Sequence, residues 1–375
     1  MKESSGFTQV ERRIIDRATQ KRAPVTGGFE LTPYCNLACK MCYVKETAPG
    51  LPVLDAVSWL DFGRQAAQAG TLVVQLTGGE PMLHPQFREI YSGLKALGMV
   101  ITMNTNATLI DEDMADFLAA NMPRRMNVSL YGPNREVYQQ LCGNGEAFDK
   151  TIRAIELMKA RNIPVKINIV PNTISFPHLD EMLEICKKYE LAVEMTPYLF
   201  EPIRKSCPGR QGYRLTPEQM AIAVEKWHRA RYTDQEMAAY SVCCFEGLFH
   251  FDVSRKTEGF APLGCRAGSS SFWLCWDGMM NACVNMIEPR ADVRELGFAA
   301  AWERVKEYAA SIRVPAKCRT CTLTRFCQSC AAVGYHENGT FEKEPQIMCV
   351  ATEAYARSLA KSVRRMEKKK PEESK

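Results

Sequence analysis

Residues 28–43 read GFELTPYCNLACKMCY, a short apolar run that leads directly into three cysteines, Cys35, Cys39 and Cys42. Three residues separate the first two thiols and two residues separate the last two. This spacing lets one compact loop surround a face of a [4Fe–4S] cubane, and three ligands leave one of its irons free to bind a small molecule. A structural zinc site would need a fourth ligand nearby, and no further cysteine occurs before Cys142. The stretch therefore predicts an iron–sulfur cluster with one open iron.

The chain has 16 cysteines and five histidines in 375 residues, and no histidine stands beside a cysteine pair. Zinc sites that mix both residue types are therefore not expected, which leaves all-thiolate zinc or iron–sulfur sites. The formal net charge of +5 is small for a nucleic-acid-binding protein. No apolar run approaches the roughly 18–20 residues of a membrane span, and residues 1–10 lack the apolar core of a secretory signal. The sequence predicts a cytoplasmic protein with reduced thiols and no nucleic-acid or membrane partner.

Short, nearly continuous aliphatic runs alternate with amphipathic stretches from about residue 28 to 198, which is typical of parallel strands joined by helices. Six strands in this order predict an α/β fold, a partial (β/α)6 TIM-like barrel with its active site at the carboxyl ends of the strands. The predicted strands are Gly28–Thr32, Leu72–Leu76, Val100–Asn104, Met126–Leu130, Val165–Ile169 and Val193–Thr196. The predicted helices are Val10–Gln20, Asp55–Ala69, Pro85–Leu97, Asp111–Ala120, Ala147–Arg161 and Phe176–Tyr189.

The alternation stops near residue 198, and the composition of the remainder divides the chain into five segments. Residues 1–26 are expected to form an N-terminal helix and extension, and residues 27–198 the barrel. Residues 199–260 are predicted to be a bridging region with a helix at about Pro217–Arg231. Residues 261–350 are rich in cysteine and poor in long apolar runs, so we expect bound metal to stabilise the fold of this segment. Residues 351–375 are predicted to form a C-terminal helix and a charged tail.

A second motif, Leu76–Thr77–Gly78–Gly79–Glu80–Pro81, follows the second predicted strand at the same end of the barrel as the cysteine loop. Two glycines let a backbone approach a ligand closely, and the Glu80 carboxylate can accept a hydrogen bond from an ammonium group. Polar residues at other strand ends are further candidates, with a turn or capping role as the alternative. The candidate cofactor-binding residues are Gly78, Gly79, Glu80, Pro81, Asn104, Asn106, Ser129, Asn168 and Thr196.

A third constellation spans residues 265–349 and consists of seven spaced cysteines and one glycine. A zinc ribbon built from its four central cysteines is one interpretation, but it leaves the other three cysteines without a role. In chain order the members are Cys265, Gly278 after twelve residues, Cys283 after four, then Cys318, Cys321, Cys327 and Cys330, and Cys349 after eighteen.

Taken together, the motifs between residues 27 and 350 resemble the radical S-adenosylmethionine (SAM) superfamily, and within it the SPASM subfamily of peptide and protein maturases. The cysteine loop with Tyr43 resembles the cluster signature of the superfamily. Residues 78–81 resemble its Gly–Gly–Glu–Pro segment, which contacts the amino group of SAM. The resemblance implies that the strand-end residues hold the ribose and the methionine carboxylate. Many relatives have an arginine near residues 141–143, where this chain has Cys142, and Arg135 is the candidate replacement.

The resemblance also implies two auxiliary [4Fe–4S] clusters, which makes three clusters in all. In relatives the first often takes a cysteine six residues after its first ligand, where this chain has Ser271. Cys275 is a candidate for that role, and water or substrate is the alternative. A two-residue hairpin loop at Asp277–Gly278 would pair Cys275 with Met280 and separate it from Cys283 by about 10 Å along the strand, which favours an open iron. The implied ligands are Cys265, Cys283 and Cys330 for one cluster and Cys318, Cys321, Cys327 and Cys349 for the other.

The implied activity is cleavage of SAM to a 5′-deoxyadenosyl radical, which abstracts a substrate hydrogen and oxidatively modifies a ribosomally made peptide or protein side chain. The product would be a crosslink, a thioether or a dehydrogenated residue, and no side chain is assigned a catalytic role. The implied partners are the peptide or protein substrate, a reductant such as flavodoxin or ferredoxin, and a separate recognition protein, for which the basic stretch 204–214 is the alternative. A small-metabolite dehydrogenase, acting for example on a sugar alcohol, is the second interpretation. A non-enzymatic electron carrier is the third, and it has no use for an open iron.

Overall fold

A computed structural model describes residues 9–42, 50–200, 212–237, 239–240, 265–286, 288–324 and 326–367 of the chain. Tyr43 and residues 204–211 of the basic stretch lie outside the described residues. The central feature is one sheet of nine strands with the order β6-β5-β4-β3-β2-β1-β7-β8-β9. The strands are β1 Thr26–Glu30, β2 Val73–Thr77, β3 Val100–Thr105, β4 Arg125–Ser129, β5 Val165–Ile169, β6 Ala192–Met195, β7 Ser271–Leu274, β8 Met279–Asn281 and β9 Ala291–Asp292.

Strands β1 to β6 are all parallel and lie side by side in chain order. Helices connect them, so the predicted α/β partial barrel is confirmed, with strand bounds that differ from the prediction by at most two residues. The described helices of eight or more residues are α1 Gln9–Lys21, α2 Ala56–Gln68, α3 Phe87–Ala96, α4 Glu112–Ala120, α5 Arg135–Cys142, α6 Glu146–Ala160, α7 Leu179–Lys188, α8 Pro217–Arg231, α9 Val293–Ser311 (kinked at Gly297), α10 Ala331–Asn338 and α11 Gln346–Glu367; short helical turns lie at Pro81–Leu83, Phe176–His178 and Ala316–Arg319.

Helix α5 was not predicted, although its end signals are present in the sequence. The Asn134 side chain caps its first turn by accepting a hydrogen bond from the Val137 backbone N–H at 3.0 Å. Gly143 ends the helix in the left-handed conformation, with φ of 73°. The helix has only eight residues, too few for a clear apolar period, but it matters because its carboxyl end supports the cysteine loop.

Strand β7 from the cysteine-dense segment pairs in parallel with β1, so it continues the barrel sheet. The pairing sets Gly28 opposite Trp273. A Cβ atom on Gly28 would lie 2.2 Å from the Trp273 ring, and one on Gly27 would lie 2.3 Å from the Phe272 ring. The two glycines therefore provide the space in which aromatic side chains of β7 pack onto β1. The segment that carries the later cysteines is joined to the barrel by backbone hydrogen bonds.

The predicted two-residue hairpin between β7 and β8 is wrong by one residue. Leu274 lies opposite Met280, and residues 275–278 form the connection. It closes with a 3.0 Å hydrogen bond from the Gly278 N–H to the Cys275 carbonyl, and Gly278 has φ of 81°. The tight turn at residues 275–278 includes Cys275 and Trp276, so these residues do not form the expected pairs with Met280 and Met279. The Cys275 thiol faces Asn281, whose Nδ2 lies 3.5 Å from it.

Helices α8 and α11 pack together beside the end of the sheet at β6. His228 of α8 is buried and hydrogen-bonds through Nδ1 with the Tyr355 hydroxyl of α11. Burial lowers the pKa of His228 to about 4, so it is neutral near pH 7. Among the described helices, none is both long enough and apolar enough to cross a membrane.

Candidate active site

A cavity of about 480 Å³ opens inside the barrel and reaches the cysteine loop. It is lined by the three thiols of that loop and by side chains from β2 to β6. Seven of the nine predicted cofactor-binding residues line it, which brings residues 118 positions apart in the chain to one space. These seven are Gly78, Gly79, Asn104, Asn106, Ser129, Asn168 and Thr196.

The cysteine loop is held against the end of β2 by backbone contacts. The Gly79 N–H donates to the Thr32 carbonyl and the Glu80 N–H to the Tyr34 carbonyl, both at 2.8 Å. A Cβ atom on Gly79 would lie 2.2 Å from the Tyr34 oxygen. Since that neighbour is backbone and cannot move aside alone, only glycine allows the two loops to lie this close.

The other side of the loop rests on the carboxyl end of α5. The Ala38 N–H donates to the Cys142 carbonyl at 3.0 Å, and the Lys40 N–H donates to the Leu141 carbonyl at 2.9 Å. These carbonyls belong to the last turn of a helix and lack partners within it. The loop is therefore anchored on both sides, and its three thiols face the cavity.

The contact between Glu80 and an ammonium group stays a prediction, and the structure shows what surrounds this side chain. Glu80 is fully buried and does not line the cavity, and neither does Pro81. Its carboxylate accepts hydrogen bonds from the Thr105 hydroxyl at 2.8 and 2.9 Å and from the Asn106 N–H at 2.8 Å. Burial raises the pKa of Glu80 to about 7, against the opposing effect of these donors. Glu80 ties the end of β2 to the end of β3.

Replacing Glu80 with alanine should destabilise the fold, because the Thr105 hydroxyl and the Asn106 N–H would lose their buried acceptor. The expected cost is about 1–3 kcal/mol for each buried group left unsatisfied, measured as a lower urea midpoint at an unchanged m-value. Glu80→Gln keeps one acceptor oxygen and is the matched control, with a smaller loss. An unchanged midpoint together with weaker SAM binding in Glu80→Ala would restore the ligand role predicted from the sequence.

Asn106 links this buried carboxylate to the first thiol. Its side-chain Nδ2 lies 2.9 Å from the Asn36 Oδ1 and 3.8 Å from the Cys35 sulfur. The Leu37 N–H also points at that sulfur, at 3.4 Å. Two N–H donors directed at one sulfur favour its thiolate form, and thiolate is the form that binds iron.

The thiols of the loop need a cation to ionise. Burial raises the pKa of Cys35 to about 12, and the pKa of Cys39 is also raised, first by its contact with the Cys142 thiol and then by burial. A bound metal deprotonates coordinating thiols outright. Three adjacent sulfurs beside a polar cavity thus fit the donor set of an iron–sulfur cluster with one open iron.

Cys142 and Tyr131 lie against this loop on its buried side, where both side chains are within hydrogen-bonding contact of Cys39. Cys142 is 1% exposed. The proposed substitution of Arg135 for the missing arginine is wrong, because Arg135 lies on the surface, 68% exposed, and pairs with Asp149 at 2.5 Å. Arg135 is not among the described residues that line the cavity.

The sequence analysis did not identify several other polar residues that line the cavity. The alternation of side chains along a strand could have identified most of them, because residues two positions apart share a face. Arg125 and Asn127 thus share a face of β4 with Ser129, and Lys166 shares a face of β5 with Asn168. In closed barrels these inward positions are mostly branched aliphatic residues, whereas here they are polar. The missed residues are Gln75, Arg125, Asn127, Tyr131, Lys166, Glu194 and Asn285.

Two buried amide oxygens in this cavity accept no hydrogen bond from the described residues. They are Asn168 Oδ1 and Asn285 Oδ1. Since an unsatisfied buried oxygen costs free energy, a bound molecule that donates N–H or O–H groups fits these positions. SAM offers an amino group, an exocyclic amine and ribose hydroxyls, so the lining fits it.

The later cysteines form two groups. Cys265, Cys283 and Cys330 interact electrostatically with one another. Burial raises the pKa of Cys283 to about 12. In the part of the chain described, no three side chains of the Cys, His, Asp and Glu types converge closely enough to hold a single metal ion. The second group surrounds a cavity of about 150 Å³ and comprises Cys318, Cys321, Cys327 and Cys349, with Cys330 at the same wall.

Comparison with known proteins agrees with this architecture. Residues 29–192 match the family described as the Radical SAM superfamily. The chain is 26% identical over 348 residues to an AdoMet-dependent heme synthase of Methanosarcina barkeri, covering 86% of this chain and 96% of the relative. It is 26% identical over 287 residues to the mycofactocin maturase MftC of Mycobacterium tuberculosis, covering 74% and 65%.

A solved structure of the protein anSMEcpe with bound AdoMet has the same fold. It superimposes with a TM-score of 0.70 at 18% sequence identity and covers 92% of this chain and 100% of that one. The same protein is also known with AdoMet and a Kp18Cys peptide bound. At this level of identity the likeness concerns the fold, and it includes the strands that follow the barrel.

Proposed function

We propose that this chain, whose residues 29–192 match the Radical SAM superfamily, oxidatively modifies a substrate held in the barrel cavity, with one SAM-binding cluster and two auxiliary clusters. The observation that carries this proposal is the position of three thiols at one end of a polar cavity inside a parallel barrel. A metal-binding scaffold alone would not need a cavity of about 480 Å³ next to its thiols.

The chain's own residues would bind the first cluster and SAM, orient the substrate, and exclude water from the cavity. Cys35, Cys39 and Cys42 would hold the first cluster, and the backbone of residues 78–79 together with Asn104, Asn106, Ser129, Asn168 and Thr196 would hold SAM. When bound, the first cluster and SAM would supply the radical chemistry that removes a hydrogen atom from the substrate, and the auxiliary clusters would supply an electron acceptor. The enclosed barrel keeps that chemistry away from solvent.

The grouping of the later cysteines supports two auxiliary clusters. Cys318, Cys321, Cys327 and Cys349 surround one space and would provide four ligands. Cys265, Cys283 and Cys330 would provide three ligands to the other cluster, which would leave one of its irons open. Asn285 lies two residues after Cys283 and lines the barrel cavity, so this cluster would sit beside the substrate.

Two substrate classes follow from the comparisons. A ribosomally made peptide or protein side chain is the first, supported by the similarity to the maturase MftC. A heme precursor is the second, and it is supported by the similarity to a heme synthase, which extends over 96% of that relative. The extent of this second similarity favours a small-molecule substrate over a peptide. A reductant such as flavodoxin or ferredoxin would complete the system.

Anaerobically reconstituted and reduced enzyme should convert SAM to 5′-deoxyadenosine and methionine in equal amounts, slowly even without substrate. A deuterated substrate should transfer deuterium into the 5′-deoxyadenosine, so labelled heme precursors and peptides can be compared directly by mass spectrometry. Enzyme without reductant is the control. Zinc in place of iron after strictly anaerobic preparation, or no 5′-deoxyadenosine from reduced enzyme, would contradict the proposal.

A further inference from the structure

The far end of the barrel cavity carries a cluster of three charged side chains. Arg125 is the first residue of β4, Lys166 the second of β5 and Glu194 the third of β6. All three line the cavity. The Lys166 Nζ lies 3.8 Å from the Glu194 Oε2, and the Arg125 Nε donates to the neutral Asn127 Oδ1 at 3.1 Å. We call this group the floor cluster.

The floor cluster has more positive than negative charge. Among the described residues that line the cavity, Glu194 is the single carboxylate facing two cations. A third cation, Arg231 of α8, stands close enough to act on Lys166 and stacks over the Trp227 ring at 5.0 Å. Burial lowers the pKa of Lys166 to about 8, with Arg125 and Arg231 acting in the same direction and Glu194 opposing them.

A buried excess of positive charge is costly unless an anion compensates it. Lys166 is 8% exposed, so bulk water does little to compensate its charge. Arginine presents its N–H groups in a fork that matches a carboxylate, and a neighbouring ammonium adds a further donor. The floor cluster is thus built to receive one carboxylate from inside the cavity.

Within the cluster, Arg125 lies deepest relative to the proposed SAM site. Ser129, at the carboxyl end of β4, lies four residues after Arg125, which is about 13 Å along a strand. Lys166 and Glu194 lie two residues, about 7 Å, before Asn168 and Thr196, so they stand between Arg125 and the end where SAM is proposed to bind. A carboxylate held between Arg125 and Lys166 would then belong to the molecule that fills the remainder of the cavity.

We propose that Arg125 and Lys166 bind a carboxylate group of the substrate at the floor of the barrel, and that Glu194 orients Lys166 and restricts the site to a single carboxylate. The assignment rests on the proposed function, since it places a substrate within the same cavity. It narrows the substrate to a molecule with an acidic group that reaches past the SAM site into the barrel.

The test is isothermal titration of the anaerobic holoenzyme with SAM bound, using glutarate as the probe and uncharged glutaramide as its partner. Glutarate should bind and glutaramide should not. Arg125→Gln and Lys166→Met should each weaken glutarate binding by about ten- to a hundredfold, the loss expected for one charged hydrogen-bonding partner. Glu194→Gln should tighten it, because the competing carboxylate is gone, and a merely structural role would not produce a gain.

Arg135→Gln is the matched control. It removes the same charge from a side chain that is 68% exposed, pairs with Asp149 at 2.5 Å and is not among the described residues that line the cavity, so glutarate affinity should not change. Equal binding of glutarate and glutaramide, or unchanged affinity in Arg125→Gln and Lys166→Met, would overturn the carboxylate site. Loss of SAM affinity in these two variants would assign the cations to the carboxylate of SAM and overturn the substrate assignment. Failure of the proposed function would appear separately, as wild-type enzyme that binds glutarate but forms no 5′-deoxyadenosine.

Discussion

Simultaneous replacement of Cys35, Cys39 and Cys42 by alanine should lower the iron content by about four atoms per chain, from about twelve, and abolish formation of 5′-deoxyadenosine. The three thiols lie on one loop that faces the cavity, and no other described cysteine lines that cavity. The later cysteines belong to the segment that follows the barrel, so their iron should remain. Iron and sulfide analysis after anaerobic reconstitution, with chromatography of the SAM products, measures both effects.

Cys186→Ala is the matched control for this experiment. Cys186 is fully buried on α7, where burial raises its pKa to about 12, and it packs in the apolar core. Its replacement should leave iron content and SAM cleavage unchanged. If the triple variant retained about twelve irons, or still produced 5′-deoxyadenosine, the cluster would have to be bound elsewhere.

Cys349→Ala should remove one auxiliary cluster, again about four irons, and stop product formation while part of the SAM cleavage survives. Cys349 lies at the start of α11 and interacts with Cys327 and Cys321, so its loss opens the group of four thiols that surround the second cavity. Because metal binding there contributes folding free energy, the segment that carries these cysteines should also become more sensitive to protease. Iron analysis, limited proteolysis and product yield are the measurements.

Cys275→Ser is the comparison variant here, since the Cys275 thiol lies beside Asn281 and Cys275 is not one of the implied cluster ligands. The iron content of this variant should stay at about twelve atoms per chain, as expected for three four-iron clusters. A loss of four irons in Cys275→Ser would identify it as the missing ligand. Full product yield from Cys349→Ala would mean that its cluster is dispensable to the chemistry.

The barrel could be predicted because its signals are local. The strands carry short runs or alternations of buried aliphatic residues, such as Val165, Ile167 and Ile169 in β5, and the helices repeat their apolar residues at intervals of three and four. The thiol loop and residues 78–81 directly follow two of these strands, and the carboxyl ends of parallel strands meet at one edge of the sheet. That geometry explains why seven of the nine candidate residues line one cavity.

The direction of the Glu80 side chain could not be predicted in this way. A carboxylate after two glycines is compatible with a ligand contact and with a structural one. The choice depends on Thr105 and Asn106, which lie 25 and 26 residues later and reach the carboxylate only when β2 and β3 are paired. The same holds for Arg135, whose partner Asp149 belongs to the following helix.

The residues themselves predicted the iron–sulfur loop and the order of strands and helices, because covalent spacing and apolar period act over a few residues. The grouping of the later cysteines came from the resemblance to a known family. Tertiary structure alone decided that β7 pairs with β1, that Glu80 is a buried tie between strands, and that Arg125 and Lys166 share the floor of one cavity. Each of these depends on contacts between distant parts of the chain. Such contacts form only when packing sets which faces meet, and a single sequence carries no local signal for them.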